Sequence, residues 1–328
     1  VTDWKPSASL AALRQRGALL QHIRAWFHEH DVLEVTTPLL SHHAPVDPHI
    51  DSFHTRFQPS AQAAESQVLY LHTSPEFAMK RLLAAGSGDI YFLGPVFRNG
   101  EAGQRHNPEF TMLEWYRKGI DHHQLMSEVT ALLSAICCFR ETGRVTYQSL
   151  FEQTLDIDPH NVSHTDLLML VQDKIDKGLD ALSRNDCLDL LFSHCIEPHL
   201  GSKGDQGLEG VYVYDYPASM AALARLTPCR TGPRRAARFE LFVGGVELAN
   251  GYHELTDAEE QRTRFASDQS LRQQLGKPVP PCDLNLLHAL KHGLPDCAGV
   301  AMGVERLHML MAGTNTIGDV LPFDFSRA

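Results

Sequence analysis

The sequence predicts an α+β fold, an antiparallel sheet flanked by helices. Two strand-like runs, DIYFLGPVFRN and EFTMLEWYRK, enclose the polar, Gly-containing turn GEAGQRHNP, the mark of a long hairpin. Two more, YVYDYP and ARFELFVGGVELANGYHEL, come later with helical patterns between. Hairpin-joined strands interleaved with helices favour an antiparallel sheet over a doubly wound parallel one. A last block, CAGVAMGVERLHMLMAG, couples a Gly-spaced strand to a helix beginning near Val304.

From Ala11 to His30, Leu19, Leu20, Ile23, Trp26 and Phe27 recur at helical intervals and predict an amphipathic helix. It runs into VLEVTTPLL, where β-branched residues and Pro38 predict an extended segment. Residues 41–66 read as a loop with a short strand near Phe53–Phe57. Ser74, Pro75 and Glu76 form a helix entrance, with Ser74 as the cap and Pro75 in the first turn, and the helix continues through Leu83. Residues 121–139 are helical. A less regular portion, about 141–210, reads as an insertion in a single catalytic domain spanning 1–328. It carries helical patterns at Thr165–Lys174 and Asp186–Phe192 and ends in GSKGDQGLEG, a flexible loop by composition. A charged helix over 257–274 and the Pro-rich linker KPVPPCD precede the last block.

With 328 residues, 43% of them hydrophobic, the chain can fill a sizeable core, which excludes a disordered chain. Its 29 Lys and Arg against 40 Asp and Glu give a formal net charge of -11, which opposes tight non-specific nucleic-acid binding. No apolar run is long enough to span a bilayer and the N-terminus lacks a signal core, so the expectation is a cytoplasmic protein. The 7 cysteines form no CxxC pair and the 19 histidines no HExxH, which argues against a zinc site.

Three segments could carry chemistry. In FRNGEAGQRHNPEFTMLEWY, Arg98, Arg105, His106 and Asn107 crowd into one hairpin loop. Arginine pairs with phosphate oxygens in a planar fork and can stabilise charge on a phosphate under attack, and Phe110 could lie against a purine. Read alone, the loop is better explained as a solvated basic turn. Glu247 and Glu254 stand seven apart in a strand-like run. An odd spacing puts them on opposite faces of a straight strand, so convergence on Mg²⁺ requires a bulge, for which Gly251 is the expected place. Two exposed strand carboxylates are the plain alternative. In GVAMGVER, Gly299 and Gly303 would let backbone approach a nucleotide while Arg306 projects from the next helix, or simply let a helix pack closely on a sheet.

Together and in this order, these segments resemble the signature motifs of class II aminoacyl-tRNA synthetases, in particular the lysine-specific branch. RHNPEFTMLEWY and FELFVGGVELANGYHELTDAEEQRTRF carry the resemblance, TSPEFAMKRLL is similar to the substrate-side helix, and the helix ending at Pro38 resembles the dimer-forming motif. The resemblance runs from about residue 11 to 325 and is weakest over 141–210. It implies a class II synthetase-like antiparallel sheet flanked by helices. A full lysyl-tRNA synthetase has an anticodon-binding OB domain before this region; the expectation here is a catalytic domain without it. The length, the opening WKPSASL and Ala301, where the synthetases carry glycine, resemble the bacterial ligases that use ATP to attach (R)-β-lysine to a lysine of elongation factor P. A methyl group at Ala301 would disfavour the α-amino group of ordinary lysine and leave room for a β-amino group, a difference worth about 1–3 kcal/mol.

Carried over by this resemblance, Arg98 would bind the α-phosphate and the substrate carboxylate, and Asn107 would hold ATP. Phe110 and Arg306 would sandwich adenine, with Asn99, Gly100, Leu248 and Gly303 completing the ATP site. Glu247 and Glu254 would take Mg²⁺. Ser74, Glu76, Glu114, Tyr116, Glu254 and Ala301 would line the amino-acid pocket, its carboxylates pairing with substrate ammonium groups. Arg98, Glu247 and Glu254 would be catalytic. Three residues depart from the pattern: Gly100 stands where Glu is usual for recognising the adenine amino group, Glu305 where Asp precedes the motif arginine, and Thr256 where the synthetases carry Asn. The implied partners are elongation factor P, ATP, β-lysine and a second copy in a homodimer, without tRNA or membrane. Two other readings are a truncated synthetase that charges tRNA and a catalytically silent paralogue that binds lysine or ATP.

Overall fold

A computed structural model describes residues 4–60, 66–204, 207–228 and 232–328. The first part of the chain forms α1 (Leu10–Glu29), β1 (Leu33–Glu34), β2 (Leu40–Ser41), β3 (His54–Phe57), β4 (Gln67–Leu71), α2 (Glu76–Ala84), β5 (Ile90–Phe97) and β6 (Glu109–Lys118). The middle forms α3 (His122–Ile136), β7 (Phe139–Thr146), α4 (Tyr147–Leu155), α5 (His164–Lys174), α6 (Arg184–Leu191), β8 (Ser202–Gly204), β9 (Gly207–Pro217), β10 (Leu226–Thr227), β11 (Arg235–Val243) and β12 (Glu247–His253). The last part forms α7 (Ala258–Gln274), α8 (Leu284–Gly293), β13 (Cys297–Gly303) and α9 (Val304–Ala312). Two compact units result: residues 1–119, 256–297 and 301–328 in one, and 120–255 with 298–300 in the other.

In the first unit the expected hairpin is regular from Phe97↔Glu109 to Ile90↔Tyr116, and β1 joins β5 in parallel. Helix α1 starts where Ser9 accepts the Ala12 amide, and it buries Leu19, Ile23, Trp26 and Phe27, the stripe read from the sequence. Phe27 stacks on Tyr91 at 4.3 Å and meets Trp115 edge-on at 5.4 Å. Tyr91 and Trp115 are paired across the hairpin. One face of the β5–β6 hairpin is thus sealed by α1, and the site residues of β6 lie on the other. Strands β2, β4 and β3 make a separate antiparallel sheet. Helix α8, capped by Asp283, packs against α2 and α7.

In the second unit β11 pairs antiparallel with β9, β10 and β12, and β7 pairs in parallel with β9. Both parallel pairs join strands far apart in sequence, which hairpin patterns do not reveal. Helix α3 opens with a capping box between Asp121 and Gln124. Helices α4 to α6 share one core with the sheet: Tyr147, Phe151, Leu167, Leu188 and Phe192 pack with Val213, Tyr216 and Phe242.

Three expectations change. Residues 139–146 are strand β7 rather than a helix end and an irregular insertion, because pairing with β9 overrides a charged sequence of low strand propensity. The run at 201–210 is a short antiparallel pair, Ser202–Gly204 with Gly207–Glu209, instead of an open loop; its Asp205 and Gln206 lie outside the described residues. The linker after α7 leads into a helix, α8, that the sequence reading passed over. Cys229 and residues 1–3 also lie outside the described residues. Among the described residues no helix is long and apolar enough to cross a membrane.

Candidate active site

Strand alternation directs Phe110, Glu114 and Tyr116 to one face of the hairpin, opposite Thr111, Leu113 and Trp115. Glu114 is 2% exposed, and two hydroxyls hold it: Ser74 Oγ donates to Oε2 at 2.7 Å and Tyr116 to Oε1 at 2.8 Å. Ser74 Oγ also accepts the Glu76 amide at 3.0 Å and so ties the start of α2 to β6, although the N-cap position falls on Pro75, one residue later than expected, and has no side-chain cap of its own. The structure therefore brings Ser74, Glu114 and Tyr116 together. Glu76 is engaged by a residue the sequence reading missed. Lys80, 1% exposed, donates to its Oε1 at 2.7 Å. The signal was present, a Glu–Lys pair four apart on the pocket-side helix, but an exposed pair has the same spacing.

Arg98 lies just beyond the end of β5, with its guanidinium over the Phe110 ring at 5.2 Å and its Nη1 3.5 Å from Glu101 Oε1. Its Nε is buried with no acceptor among the described residues. Gly100 has φ +86°, a conformation that favours glycine, and a Cβ there would meet nothing within 4 Å. Asn107 spends its amide on the protein itself. Its Nδ2 donates to the Glu109 carbonyl at 2.7 Å and its Oδ1 accepts the Phe325 amide at 2.9 Å, bracing the loop that the resemblance assigns to ATP.

At the start of α9, Arg306 Nη2 donates to His106 Nε2 at 2.8 Å, so the helix start and the hairpin loop touch. Glu305 is 2% exposed and binds Arg16 Nη2 at 3.1 Å and the Thr111 amide at 2.8 Å, joining α1, β6 and α9. Ala301 and Gly303, two apart on β13, share a strand face and are half-buried. A Cβ at Gly303 would make only ordinary contact, 3.7 Å, with the Arg306 stem.

In the second unit the bulge that the Glu247–Glu254 spacing required is present. Leu241 pairs with Ala249 but Phe242 with Glu247, so Leu248 is the extra residue and the alternation resets there. Glu247, Asn250 and Tyr252 then share a face, and Glu254, bridged through its backbone to Ala224, continues it. The expected place for the bulge, Gly251, is instead where the chain passes over an aromatic ring: a Cβ there would fall 2.4 Å from Phe239. Glu254 is fully buried.

The same face carries two residues absent from the sequence-based site. Arg238 forms an ion pair with Glu240, donates to the Met220 carbonyl at 2.8 Å and lies 4.7 Å from the Tyr216 ring. Tyr216 donates to Glu240 Oε2 at 2.7 Å. Burial pushes the Glu240 carboxyl up, Arg238 pulls it back, and the charge of Glu247 pushes it up again. Among the described residues no group of three or more His, Cys, Asp or Glu could hold a metal, so oxygens of a phosphate would have to complete a Mg²⁺ shell. The pattern R-x-E in an apolar strand was the available signal for Glu240. Elsewhere, burial pushes the Cys137 thiol up to about 12, which keeps it protonated at neutral pH.

The chain belongs to the class II tRNA synthetases (D, K and N), whose family profile matches residues 1–327. Among curated proteins it is 47% identical over 332 residues to the elongation factor P--(R)-beta-lysine ligase of Vibrio cholerae, covering 100% of this chain and 99% of that one. Proteins of the same name from Yersinia enterocolitica and Pasteurella multocida are 47% and 43% identical, each over 99% of this chain and 98% of the relative.

Proposed function

We propose that this chain activates (R)-β-lysine with ATP as an acyl-adenylate and transfers the lysyl group to a lysine side chain of elongation factor P, acting in the cytoplasm as a homodimer. The observation that carries this reading is the shared face of β6. A carboxylate held by two hydroxyls, Glu114, stands about 13 Å along the strand from the aromatic ring under Arg98, at ~3.3 Å per residue. A cationic amino acid joined to a nucleotide can span such a distance. Full-length similarity to ligases of this name supports the acceptor and the β-isomer.

In this mechanism the amino-acid carboxylate attacks the α-phosphate of ATP in line and pyrophosphate leaves. The neutral amine of the acceptor lysine then attacks the adenylate carbonyl, AMP leaves with the bond electrons, and an amide forms as the nitrogen loses its proton. Arg98 stabilises charge developing on the phosphate, and Glu114 with Ser74 and Tyr116 fixes a substrate ammonium so that the carboxylate lies in attack geometry. Phe110 and Arg306 hold the adenine. Glu247 and Glu254 would hold Mg²⁺, which when bound would neutralise polyphosphate charge. No covalent enzyme intermediate is required.

The test is ATP–pyrophosphate exchange with (R)-β-lysine, (S)-β-lysine and α-lysine, followed by chasing the preferred adenylate onto elongation factor P or lysine tRNA. Preference for (R)-β-lysine with label on the protein is the expected result. Exchange with α-lysine and label on tRNA would identify a tRNA-charging enzyme instead, and no exchange with any of the three would identify a silent paralogue.

A further inference from the structure

The loop that carries Arg98 is held from outside by a segment to which no role in the reaction has been given. Arg98 donates its own amide to the Pro108 carbonyl at 2.9 Å, across the neck of the loop. The next amide, that of Asn99, donates to the Asp51 carbonyl at 2.8 Å, and the two residues form an isolated antiparallel bridge. After Asn99 the chain turns through Gly100 in a left-handed conformation. The Asn99–Asp51 bond is therefore the last external fastening before the turn.

Asp51 is itself bolted down. Its Oδ1 accepts from Arg272 Nη2 at 2.6 Å and its Oδ2 from Lys277 Nζ at 3.2 Å. Arg272, on α7, is 4% exposed and spends its other donors on three backbone carbonyls: Pro278 at 2.7 Å, Asp47 at 2.7 Å and Ile50 at 3.2 Å. Lys277 adds the Pro48 carbonyl at 2.7 Å. Burying a guanidinium is costly unless its hydrogen bonds are made, and here three of the four go to residues 47–51. Burial alone would raise the Asp51 carboxyl, but the two cations hold it below the usual range, so it stays ionised at neutral pH.

We propose that Asp51 is a positioning residue for Arg98: Arg272 and Lys277 fix its carboxylate, and its carbonyl oxygen fixes the peptide that follows Arg98. The inference rests on the role given to Arg98 in adenylate formation. A guanidinium stabilises an in-line transition state only when it is already aimed, and a displacement of about 1 Å in a positioning element can cost on the order of a hundred-fold in rate.

The experiment is ATP–pyrophosphate exchange with (R)-β-lysine on the full chain for Asp51→Asn, Lys277→Met, Arg98→Lys and the double variant Asp51→Asn with Arg98→Lys. The wild type must exchange for the reading of Arg98 to stand, and its failure would count against that reading rather than against Asp51. Given an active wild type, Asp51→Asn should lower kcat by about ten-fold or more with the KM for β-lysine within about three-fold, and Lys277→Met should produce a smaller loss of the same kind. In the Arg98→Lys background the Asp51→Asn loss should shrink to about two-fold or less, since residues acting through one group are non-additive. An equal loss in both backgrounds, or a loss confined to the KM for β-lysine, overturns the proposal. Should Asp51→Asn fail to fold, Lys277→Met and its double variant with Arg98→Lys decide by the same criteria.

Discussion

Glu114→Gln removes the charge but not the volume from a carboxylate that is 2% exposed and already holds two hydroxyls. The amide oxygen can still accept from one of them, Ser74 or Tyr116, while the amide nitrogen faces the other, whose hydroxyl must rotate to accept. The protein thus loses about one neutral hydrogen bond, on the order of 1 kcal/mol, and should remain folded. A bound ammonium loses more. A hydrogen bond to a charged group contributes about 1.5–3 kcal/mol, and low-dielectric surroundings favour the upper part of that range. With 1.36 kcal/mol per factor of ten, the KM for β-lysine should rise on the order of 30- to 150-fold. The KM for ATP should stay within about three-fold, because Phe110 and Arg98 stand at the other end of the shared face. Pyrophosphate exchange with each substrate varied in turn measures both constants. A KM for β-lysine within about three-fold of wild type would refute the assignment of Glu114 to a substrate ammonium.

Arg98→Ala should abolish adenylate formation with an unchanged thermal midpoint, and near-normal exchange would remove Arg98 from the mechanism. Gly100→Glu, which restores the residue usual in the family, should raise the KM for ATP several-fold, because φ +86° costs a side-chain-bearing residue about 1–2 kcal/mol and the loop must shift; a lowered KM would contradict this. Asp268 titrates at about 6 because burial and, next, the charge of Asp47 raise it, while Arg264 and His49 oppose them. The folded state then binds more protons than the unfolded chain, whose aspartates titrate near 4, so this group's contribution falls as pH rises from about 4 to about 6 and is flat above. Asp268→Asn should therefore stabilise the protein at pH 7.5 by about 1 kcal/mol, a figure discounted for partial exposure, and much less at pH 4.5; equal shifts in midpoint at the two values would disprove it.

Periodicity and turn chemistry made the helix α1, the β5–β6 hairpin and the strand-to-helix step at Val304 legible, because each is specified by neighbours in sequence. Strand β7 was not legible: FRETGRVT is extended only because β9 lies beside it. The site divided in the same way. Residue types and order pointed to Arg98 and Glu247, and the family resemblance to Glu114, but contacts decide what else each residue does. Asn107 has the amide expected of a ligand-binding residue and uses it on Glu109 and Phe325. Lys80 and Glu240 are buried charges, and a sequence cannot tell a buried lysine from an exposed one. The parity argument for Glu247 and Glu254 required a bulge and was met at Leu248, while Gly251 answered to the Phe239 ring.

The conformation of Gly100 bears on why its usual carboxylate can be absent. Beyond Gly100, at φ +86°, the Glu101 carboxylate stands 3.5 Å from Arg98 Nη1. Both side chains are about a quarter to a third exposed, 24% and 30%, and such a pair is worth less than about 1 kcal/mol. A triphosphate offers Arg98 several anionic oxygens with bidentate geometry, so displacing Glu101 costs little against what replaces it. The Phe110 ring under the same guanidinium limits where Arg98 can go. Under the proposed function Glu101 would pair with Arg98 until a phosphate displaces it, and the released carboxylate would be the candidate to meet the adenine amino group in place of the usual glutamate.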